Sequence, residues 1–396
     1  MTIQDSGKSG SSDGRARRLR LGMVGGGRGA FIGGVHRMAA RLDDRWTLVA
    51  GALSSDPERA RASGADLLLD PDRVYDDAAA MAAAEAGRED RIDAVAIVTP
   101  NAAHHGPAEA FLEAGFHVIC DKPLTTSLAT ARELADLARA KGVIFAVTHN
   151  YTGYPLVREA RALVRAGALG AIRVVQVEYA QDWLATRLEE EGQKQAAWRT
   201  DPAISGPAGS VGDIGSHAFN LAEFVAGARV ERVCADLTSF APGRRLDDNA
   251  HMLLRFEGGA RGALWCSQVA VGEENALTLR VYGETGALSW GQENPNVLVH
   301  TPIGEPPRLV RRNGAGTSAV SQRASRIPAG HPEGYLEGFA NLYADIADQI
   351  EARLAGREPA PETCDVPSVD DGVRGVAFIE AAVRSSQGDA RWERVG

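Results

Sequence analysis

The fold is decided near the start of the chain, where the sequence reads Leu19-Arg20-Leu21-Gly22-Met23-Val24-Gly25-Gly26-Gly27-Arg28-Gly29-Ala30. An apolar run typical of a β-strand, residues 19–24, leads directly into the pattern Gly25-x-Gly27-x-x-Ala30, and a helical pattern follows it. In such a unit the first glycine permits a tight turn, and the second lets the backbone approach a pyrophosphate at the helix N-terminus. The stretch therefore predicts a dinucleotide-binding strand, loop and helix.

The end of this loop has two interpretations. Phe31-Ile32-Gly33-Gly34 follows at once and lengthens the glycine-rich region, so either Ala30 or Gly33 makes the close contact between helix and strand. The residues predicted to touch the cofactor here are Gly25, Gly27, Arg28, Gly29, Ala30, Phe31 and Ile32.

Strand-like and helical patterns alternate up to about residue 150, which is typical of a doubly wound parallel sheet. Strands are expected at 19–24, 46–53, 93–98, 116–120 and 143–147. Ligands of such a sheet gather beyond the carboxyl ends of its strands. The further cofactor candidates at these ends are Ser54, Ser55, Arg59, Thr99, Pro100, Asn101, His104, Asp121, Lys122 and Asn150. Lys122 stands out because it lies between a strand end and Pro123 on this rim.

The expected cofactor is NAD, and NADP stays open. NAD-binding strands usually end in a carboxylate that bonds the adenosine ribose, but here the strand over 46–53 ends in Ser54-Ser55. Serine followed by Arg59 tolerates a 2′-phosphate, whereas Asp56 is the alternative partner for a free ribose. No metal site is expected.

The alternation of strand and helix patterns ends near Tyr154-Pro155. Beyond this point, strands separated by glycine-containing turns indicate antiparallel hairpins. This predicts a second domain over 151–396, of α+β class with one large open sheet, after a dinucleotide domain over 19–150 and a disordered segment over 1–18. Residues 303–330 are expected to be a loop. The last helix, expected over 368–386, is a candidate to pack back on the first domain.

A polar pair lies in the middle of the chain, in Gly212-Asp213-Ile214-Gly215-Ser216-His217. Ser210 and Asp213 have the spacing of a capping box, which predicts a helix that begins here. Asp213 and His217 then lie side by side at i and i+4, with the carboxylate orienting the imidazole. The alternative is a cap residue beside an ordinary buried histidine.

Composition limits the classes of function. The 396 residues are too many for one ordinary core, and a net charge of −9 disfavours nucleic acid as a partner. No apolar run has the length of a membrane span. The four cysteines are scattered without a C-x-x-C pair, so neither disulfides nor zinc are implied. Arg17-Arg18 precedes a glycine-punctuated strand instead of a signal core, so a cytoplasmic protein is expected.

Four motifs occur in order along the chain: Gly25-x-Gly27, Thr99-Pro100-Asn101-x-x-His104, Asp121-Lys122-Pro123 and Gly212-Asp213-x-Gly215-x-His217. Over roughly residues 19–386 this arrangement resembles the glucose–fructose oxidoreductase/inositol dehydrogenase family. Asp121 replaces a more frequent glutamate. Within the family the chain looks most like bacterial dehydrogenases of inositols and unphosphorylated pyranoses.

The resemblance implies roles for particular residues. Lys122 would meet the reacting hydroxyl, and Asp213 and His217 would contact substrate and serve as acid and base. Trp198-Arg199 resembles a pair near the nicotinamide. The residues expected to bind substrate are Lys122, Asn150, Tyr151, Tyr154, Asp213, His217 and Tyr335. Relatives pair their open sheets, so a dimer or tetramer is implied.

Three functions fit these observations. The first is oxidation of a secondary ring hydroxyl of a sugar or cyclitol, with hydride transfer to the nicotinamide and either Lys122 or His217 as the proton acceptor. The second is hydrolysis of a glycoside through a transient keto-sugar, with the cofactor retained. The third is a cofactor-sensing binding protein without chemistry.

Overall fold

The structure is a computed structural model that describes residues 17–396. Most of the segment predicted to be disordered, 1–18, therefore lies outside the described residues. Two sheets organise the rest of the chain, one parallel and one mostly antiparallel. The predicted combination of an α/β half and an α+β half is confirmed.

The first sheet has five parallel strands in the order β2-β1-β3-β4-β5. The strands are β1 (Leu19–Gly25), β2 (Trp46–Ala52), β3 (Ala94–Val98), β4 (His117–Cys120) and β5 (Phe145–Val147). The helices between them are α1 (Phe31–Leu42), α2 (Pro57–Asp66), α3 (Ala78–Ala86), α4 (His105–Glu113) and α5 (Leu128–Lys141). All five residues of β3 are buried, as expected for a parallel strand covered on both faces.

The second sheet has nine strands in the order β13-β12-β11-β10-β6-β9-β8-β7-β14. Its strands are β6 (Ile172–Ala180), β7 (Val230–Thr238), β8 (Asn249–Phe256), β9 (Arg261–Ser267), β10 (Ala276–Gly283), β11 (Gly286–Gly291), β12 (Val297–Pro302), β13 (Arg308–Arg311) and β14 (Glu393–Arg394). All neighbours pair antiparallel except β6 and β9.

Seven further α-helices follow in the part of the chain that the structure describes. They are α6 (Pro155–Arg165), α7 (Lys194–Arg199), α8 (Pro202–Ser205), α9 (Ser216–Ala226), α10 (Ala319–Arg323), α11 (Tyr335–Leu354) and α12 (Val369–Gln387). Helices α6, α9 and α12 share an apolar core with the nine-stranded sheet. The loop expected over 303–330 is wrong in part, because it contains β13 and α10. β13 is a short edge strand with mostly exposed side chains, so it carries no apolar alternation to reveal it.

The last two long helices return to the parallel sheet. Phe339 and Tyr343 of α11 are buried in one core with Val35 of α1 and Trp46 of β2, and Val376 of α12 joins the core on the other side. The packing extends beyond apolar contacts, since the Trp46 indole N–H donates to the Tyr343 carbonyl at 3.0 Å. The C-terminal helices therefore hold the two sheets in a fixed relation.

A buried histidine at this junction makes stability depend on pH. His36 lies 2.8 Å through Nδ1 from the Tyr343 hydroxyl, and burial lowers its pKa to about 4. Its pKa in the unfolded chain is about 6.5. Below that value the unfolded state binds more protons than the folded state, so stability is lost as the pH falls from about 6.5 toward 4.

We expect His36→Gln to remove this contribution. The stability advantage of the wild type over the variant should shrink by about 2 kcal/mol between pH 7 and pH 5. Urea unfolding at both pH values measures it. His331→Gln is the control, because His331 is exposed. An unchanged difference between wild type and His36→Gln at the two pH values would contradict the prediction.

Candidate active site

The glycine-rich loop joins β1 to α1 and settles the choice between Ala30 and Gly33. A Cβ atom on Gly33 would lie 2.3 Å from the Gly26 Cα, so Gly33 makes the close contact between helix and loop. Ala30 is the residue before the helix and caps it without a side-chain hydrogen bond. The first N–H groups of α1 thus remain available to an anion, which fits a dinucleotide pyrophosphate.

Packing against Leu53 requires glycine at position 27, independently of any bound cofactor. A Cβ atom there would lie 2.6 Å from the Leu53 carbonyl oxygen, which already accepts a hydrogen bond from the Gly27 N–H at 3.1 Å. The loop is therefore fastened to the end of β2. Gly25 and Gly29 both have positive φ angles, a conformation that favours glycine.

Hydrogen bonds link several of the residues that follow β2. The Ser54 hydroxyl accepts from the Asp56 N–H at 3.1 Å, and Asp56 caps α2 by accepting from the Arg59 N–H at 2.7 Å. The Arg28 guanidinium is held by Asp66 at 2.5 and 2.7 Å. Ser55 is exposed beside them. No carboxylate follows β2 directly, and the first one, Asp56, serves as a helix cap.

The Thr99-Pro100-Asn101 loop and His104 connect elements on the rim. Thr99 Oγ1 donates to the Ala103 carbonyl at 2.8 Å, and Asn101 Nδ2 donates to the Ser205 carbonyl at 2.9 Å in the second half of the chain. His104 is buried, with its ring nitrogens 2.9 Å from the Pro123 and Thr99 carbonyl oxygens. This geometry gives His104 a role in holding the loop against the end of β4; direct contact with the cofactor stays a prediction.

Lys122, Asp213 and Arg199 meet although they are far apart in sequence. Lys122 Nζ donates to the Asp213 Oδ1 at 2.8 Å and to the Asp213 carbonyl at 2.6 Å. The other carboxylate oxygen accepts from Arg199 Nε at 3.2 Å and from Gln268 Nε2 at 2.8 Å. The Arg199 guanidinium lies 4.2 Å from the centre of the Trp198 ring.

The charge balance of this cluster keeps Asp213 ionised. Burial alone would raise its pKa, but the positive charges of Lys122 and Arg199 hold the pKa well below its usual value. Asp121, next to Lys122, accepts from the Thr148 hydroxyl at 2.8 Å and from the Lys122 N–H at 3.0 Å. An ionised carboxylate between two cations can accept hydrogen bonds from substrate hydroxyls.

The segment that carries Asp213 is not the capped helix that the sequence predicts. Residues Val211–Gly215 form a π-helical turn, and α9 begins only at Ser216. The capping box is wrong, because Ser210 has helical backbone angles and its hydroxyl donates to Asp247 Oδ2 at 2.7 Å. Asp247 also accepts from the N–H groups of Gly209 and Val211. A distant carboxylate therefore starts this turn.

His217 is oriented by aromatic packing rather than by Asp213. Its ring is edge-on to Tyr151 at 4.9 Å and to His149 at 5.3 Å between ring centres. Among residues 17–396 the hydrogen-bond partners of the Asp213 carboxylate are Lys122, Arg199 and Gln268, so the expected Asp213–His217 orientation is wrong. The extra residue in the π-helical turn changes the angular register between the two side chains.

His217 is neutral at neutral pH. Burial lowers its pKa well below the usual value, and the charge of Lys122 acts in the same direction. Its Nδ1 has no hydrogen-bond partner within the described part of the chain. The neighbouring His149 is also buried, and its pKa is lowered to about 3 by burial and by Lys122. The site thus holds a neutral imidazole beside the Lys122–Asp213 ion pair.

The remaining predicted substrate residues form a layer next to His217. The Tyr151 and Tyr179 hydroxyls lie 2.5 Å apart, and Tyr335 faces Tyr151 with ring centres 6.4 Å apart. Tyr154 stacks on Tyr151, with ring centres 6.0 Å apart. Asn150 is buried, and within residues 17–396 its Nδ2 has no partner.

Sequence reasoning missed several members of this site: His149, Tyr179, Asp247, Gln268 and Asn275, whose Oδ1 accepts from the Tyr179 hydroxyl at 2.7 Å. His149 could have been predicted from its position in the sequence, because it follows β5 at the ligand-binding edge of the parallel sheet. Gln268 follows β9 directly, but its contact with Asp213 depends on the fold.

No group of histidine, cysteine, aspartate and glutamate side chains within residues 17–396 could hold a metal ion. Over the same residues no helix has the length and apolar character needed to cross a membrane.

Comparisons with known proteins match both halves of the chain to one family. Residues 19–149 match the oxidoreductase family with an NAD-binding Rossmann fold, and residues 157–289 match the GFO/IDH/MocA C-terminal domain. The uncharacterized oxidoreductase YfiI of Bacillus subtilis is 36% identical, with 95% of this chain and 97% of that protein aligned.

Two solved structures are similar along nearly the whole chain. An oxidoreductase from Sinorhizobium meliloti is 53% identical with a TM-score of 0.86, covering 95% of this chain and 99% of its own. An inositol dehydrogenase homologue from Azotobacter vinelandii, solved with NADH and myo-inositol, is 36% identical with a TM-score of 0.89, covering 96% and 98%. With both of its halves matched, the chain belongs to the GFO/IDH/MocA family of oxidoreductases and binds NAD through its Rossmann domain.

Proposed function

We propose that this enzyme oxidises a secondary ring hydroxyl of an unphosphorylated sugar or cyclitol. The observation that carries the proposal is the Lys122–Asp213 ion pair beside neutral His217, at the carboxyl edge of the NAD-binding sheet. The Azotobacter vinelandii homologue was solved with a cyclitol, which supports the same substrate class. When bound, NAD supplies the acceptor for the hydride.

Each polar group in the site has a separate task in this proposal. Lys122 Nζ donates to the reacting hydroxyl oxygen and fixes its position, and the Asp213 carboxylate accepts from a neighbouring hydroxyl. His217 accepts the hydroxyl proton through Nε2, because the imidazole is neutral and its Nδ1 is buried, which leaves Nε2 to face the substrate. The uncapped N-terminus of α1 binds the pyrophosphate of NAD, and the residues after β2 contact its ribose.

A substrate panel tests this function. Purified protein is incubated with NAD and, separately, myo-inositol, scyllo-inositol, glucose, galactose and xylose while NADH absorbance is followed. We expect net NADH formation with at least one of them. Release of a sugar from a glycoside without net NADH would favour hydrolysis through a keto-sugar. NAD binding without any turnover across the panel would favour a cofactor-sensing protein.

Cofactor preference gives a prediction at Ser54. The wild type should prefer NAD and retain measurable NADP activity, because no carboxylate at this position repels a 2′-phosphate. In Ser54→Asp a like charge beside that phosphate should lower kcat/KM for NADP, by an activation free energy of about 1–3 kcal/mol. The kcat/KM for NAD should stay nearly unchanged. Steady-state kinetics with both cofactors measures it, with Ser54→Asn as the uncharged control. A wild type that prefers NADP tenfold, or equal effects on both cofactors, would refute this.

We also propose that the open face of the nine-stranded sheet joins copies of the chain into a dimer or tetramer. Leu253 on β8 is 54% exposed and Tyr282 on β10 is 40% exposed. Exposed apolar side chains on a long open sheet are a hazard in a monomer. Light scattering at micromolar concentration should give the mass of a dimer or tetramer, and Leu253→Arg should shift it toward the monomer. A monomeric wild type would exclude the proposal.

A further inference from the structure

A cavity of about 910 Å³ opens beside the proposed active site. It lies between the residues before β10, the residues after β11 and the segment that leads into α11. Its polar lining consists of three glutamates, four carboxamides and two tyrosines: Glu274, Glu293, Glu333, Asn275, Gln292, Asn294, Asn296, Tyr154 and Tyr335. The volume falls within the range of small-molecule sites.

Hydrogen bonds connect this cavity to the tyrosine layer beside His217. Asn275 Oδ1 accepts from the Tyr179 hydroxyl at 2.7 Å, and Asn275 Nδ2 donates to Gln292 Oε1 at 3.0 Å. Gln292 Nε2 in turn donates to the Tyr154 hydroxyl at 3.3 Å. Tyr335 lines the cavity and packs against Tyr151, which also packs against His217, so the cavity and the proposed proton acceptor border the same tyrosine layer.

One lining group is left with unused hydrogen-bonding capacity. Glu333 is buried, and its Oε1 accepts from Arg312 Nη1 at 2.8 Å. Its Oε2 is buried without a partner among the residues that the structure describes. Buried polar atoms are normally paired, so an unpaired carboxylate oxygen in a cavity wall indicates a donor from a ligand or from water.

The chemistry of the lining defines the ligand. Carboxylates and amide oxygens accept from hydroxyl groups, amide N–H groups donate to them, and tyrosine rings pack against the apolar face of a sugar. The described residues that line the cavity include no lysine, arginine or histidine, so nothing there offsets the charge of a phosphate or carboxylate group. A neutral polyol fits this wall, and an anionic sugar does not.

We propose that this cavity is a second saccharide subsite. It binds the neutral glycosyl group attached to the ring that is oxidised beside His217, so the preferred substrate is a glycoside or a disaccharide. This inference rests on the proposed dehydrogenase function, because the oxidised ring occupies the Lys122–His217 site.

Kinetics with matched sugar pairs tests the subsite. kcat/KM with NAD is compared for myo-inositol and galactinol, and for glucose and the disaccharides maltose, cellobiose and melibiose. We expect at least one glycoside to exceed its parent ring by about tenfold, the effect of one or two added hydrogen bonds. Glycosides that are no better than their parent rings in any pair would overturn the proposal.

Variants of exposed residues in the cavity lining test whether the cavity causes the preference for glycosides. Glu274→Ala combined with Asn294→Ala should lower kcat/KM for the preferred glycoside by about tenfold and change that of the parent ring less than about twofold. Glu273→Ala is the matched control, since Glu273 is the exposed neighbour of Glu274 outside the lining. Equal losses for glycoside and parent ring in the double variant would also overturn the subsite.

Binding measurements separate this inference from the proposed function. Calorimetry with the NADH-bound enzyme should show tighter binding of the glycoside than of the parent ring, with the advantage lost in the double variant. Tighter glycoside binding without turnover of any sugar would refute the dehydrogenase and retain the subsite. Tighter binding of glucose 6-phosphate than of glucose would show that the cavity accepts an anionic group, which would refute a subsite for a neutral glycosyl group.

Discussion

Lys122→Ala should lower kcat by about 10²–10⁴-fold, the range for a positioned group that takes part in proton transfer or in holding the reacting oxygen. The amine lies 2.8 Å from Asp213 Oδ1 at the end of β4, on the rim where the nicotinamide ring is expected. The affinity for NAD should change far less, because pyrophosphate binding depends on the loop from Gly25 to Gly33 and on the N-terminus of α1.

Two measurements make this prediction decisive. Steady-state kinetics gives kcat with the best substrate of the panel, and quenching of protein fluorescence by NADH gives the Kd of the cofactor. Lys141→Ala is the matched control, because Lys141 is an exposed lysine in the same domain and, within residues 17–396, donates to the Glu113 carbonyl alone. Equal losses in cofactor binding and turnover would show that Lys122 is only an electrostatic anchor.

The parallel sheet was predictable because its signals are local. β3 is a continuous apolar run that ends at Thr99-Pro100, and each strand of this sheet is followed by a turn or helix signal within a few residues. The glycine-rich loop was equally clear in its position. The choice between Ala30 and Gly33 was not, because it depends on how closely the α1 backbone approaches Gly26 in space.

The site was predictable in its main residues and not in its geometry. Lys122, Asp213 and His217 were found from motifs, but the π-helical turn was missed because Asp247, which accepts its first hydrogen bonds, is far away in sequence. Gln268 likewise meets Asp213 only after β9 has paired with β6. Pairings between distant segments carry no periodic signal, so the chain alone cannot assign them.

The hydrogen bonds of Asp213 give the two acid–base candidates, Lys122 and His217, different tasks. The Asp213 carboxylate is shared by Lys122, Arg199 and Gln268, so it stabilises positive charge instead of orienting an imidazole. His217 is left with a lowered pKa, and because its Nδ1 is buried, Nε2 is the ring nitrogen that can accept a proton from substrate. A neutral imidazole has a ring-nitrogen lone pair that can accept a proton, whereas the Lys122 amine acts as a hydrogen-bond donor to the Asp213 carboxylate.

His217→Gln should therefore lower kcat by about 10²–10⁴-fold, since the proton acceptor is removed while the Lys122–Asp213 pair remains. The pH dependence distinguishes this from a loss of packing. In the wild type, kcat/KM should fall only at pH values below about 6.5, because burial and Lys122 lower the pKa of His217 and keep it neutral above that point. The variant should lack this acid limb and gain rate as hydroxide concentration rises.

The matched control is His149→Gln, which alters the neighbouring buried imidazole without removing the proposed acceptor. It should keep an acid limb in the profile of kcat/KM against pH, whatever its effect on kcat. Profiles of the three proteins between pH 5 and pH 9, together with NADH affinity, complete the test. If His217→Gln retains both the wild-type kcat and the acid limb, the proton passes to another group. Lys122 then becomes the acceptor to examine, because its amine lies beside Asp213 at the same rim of the parallel sheet.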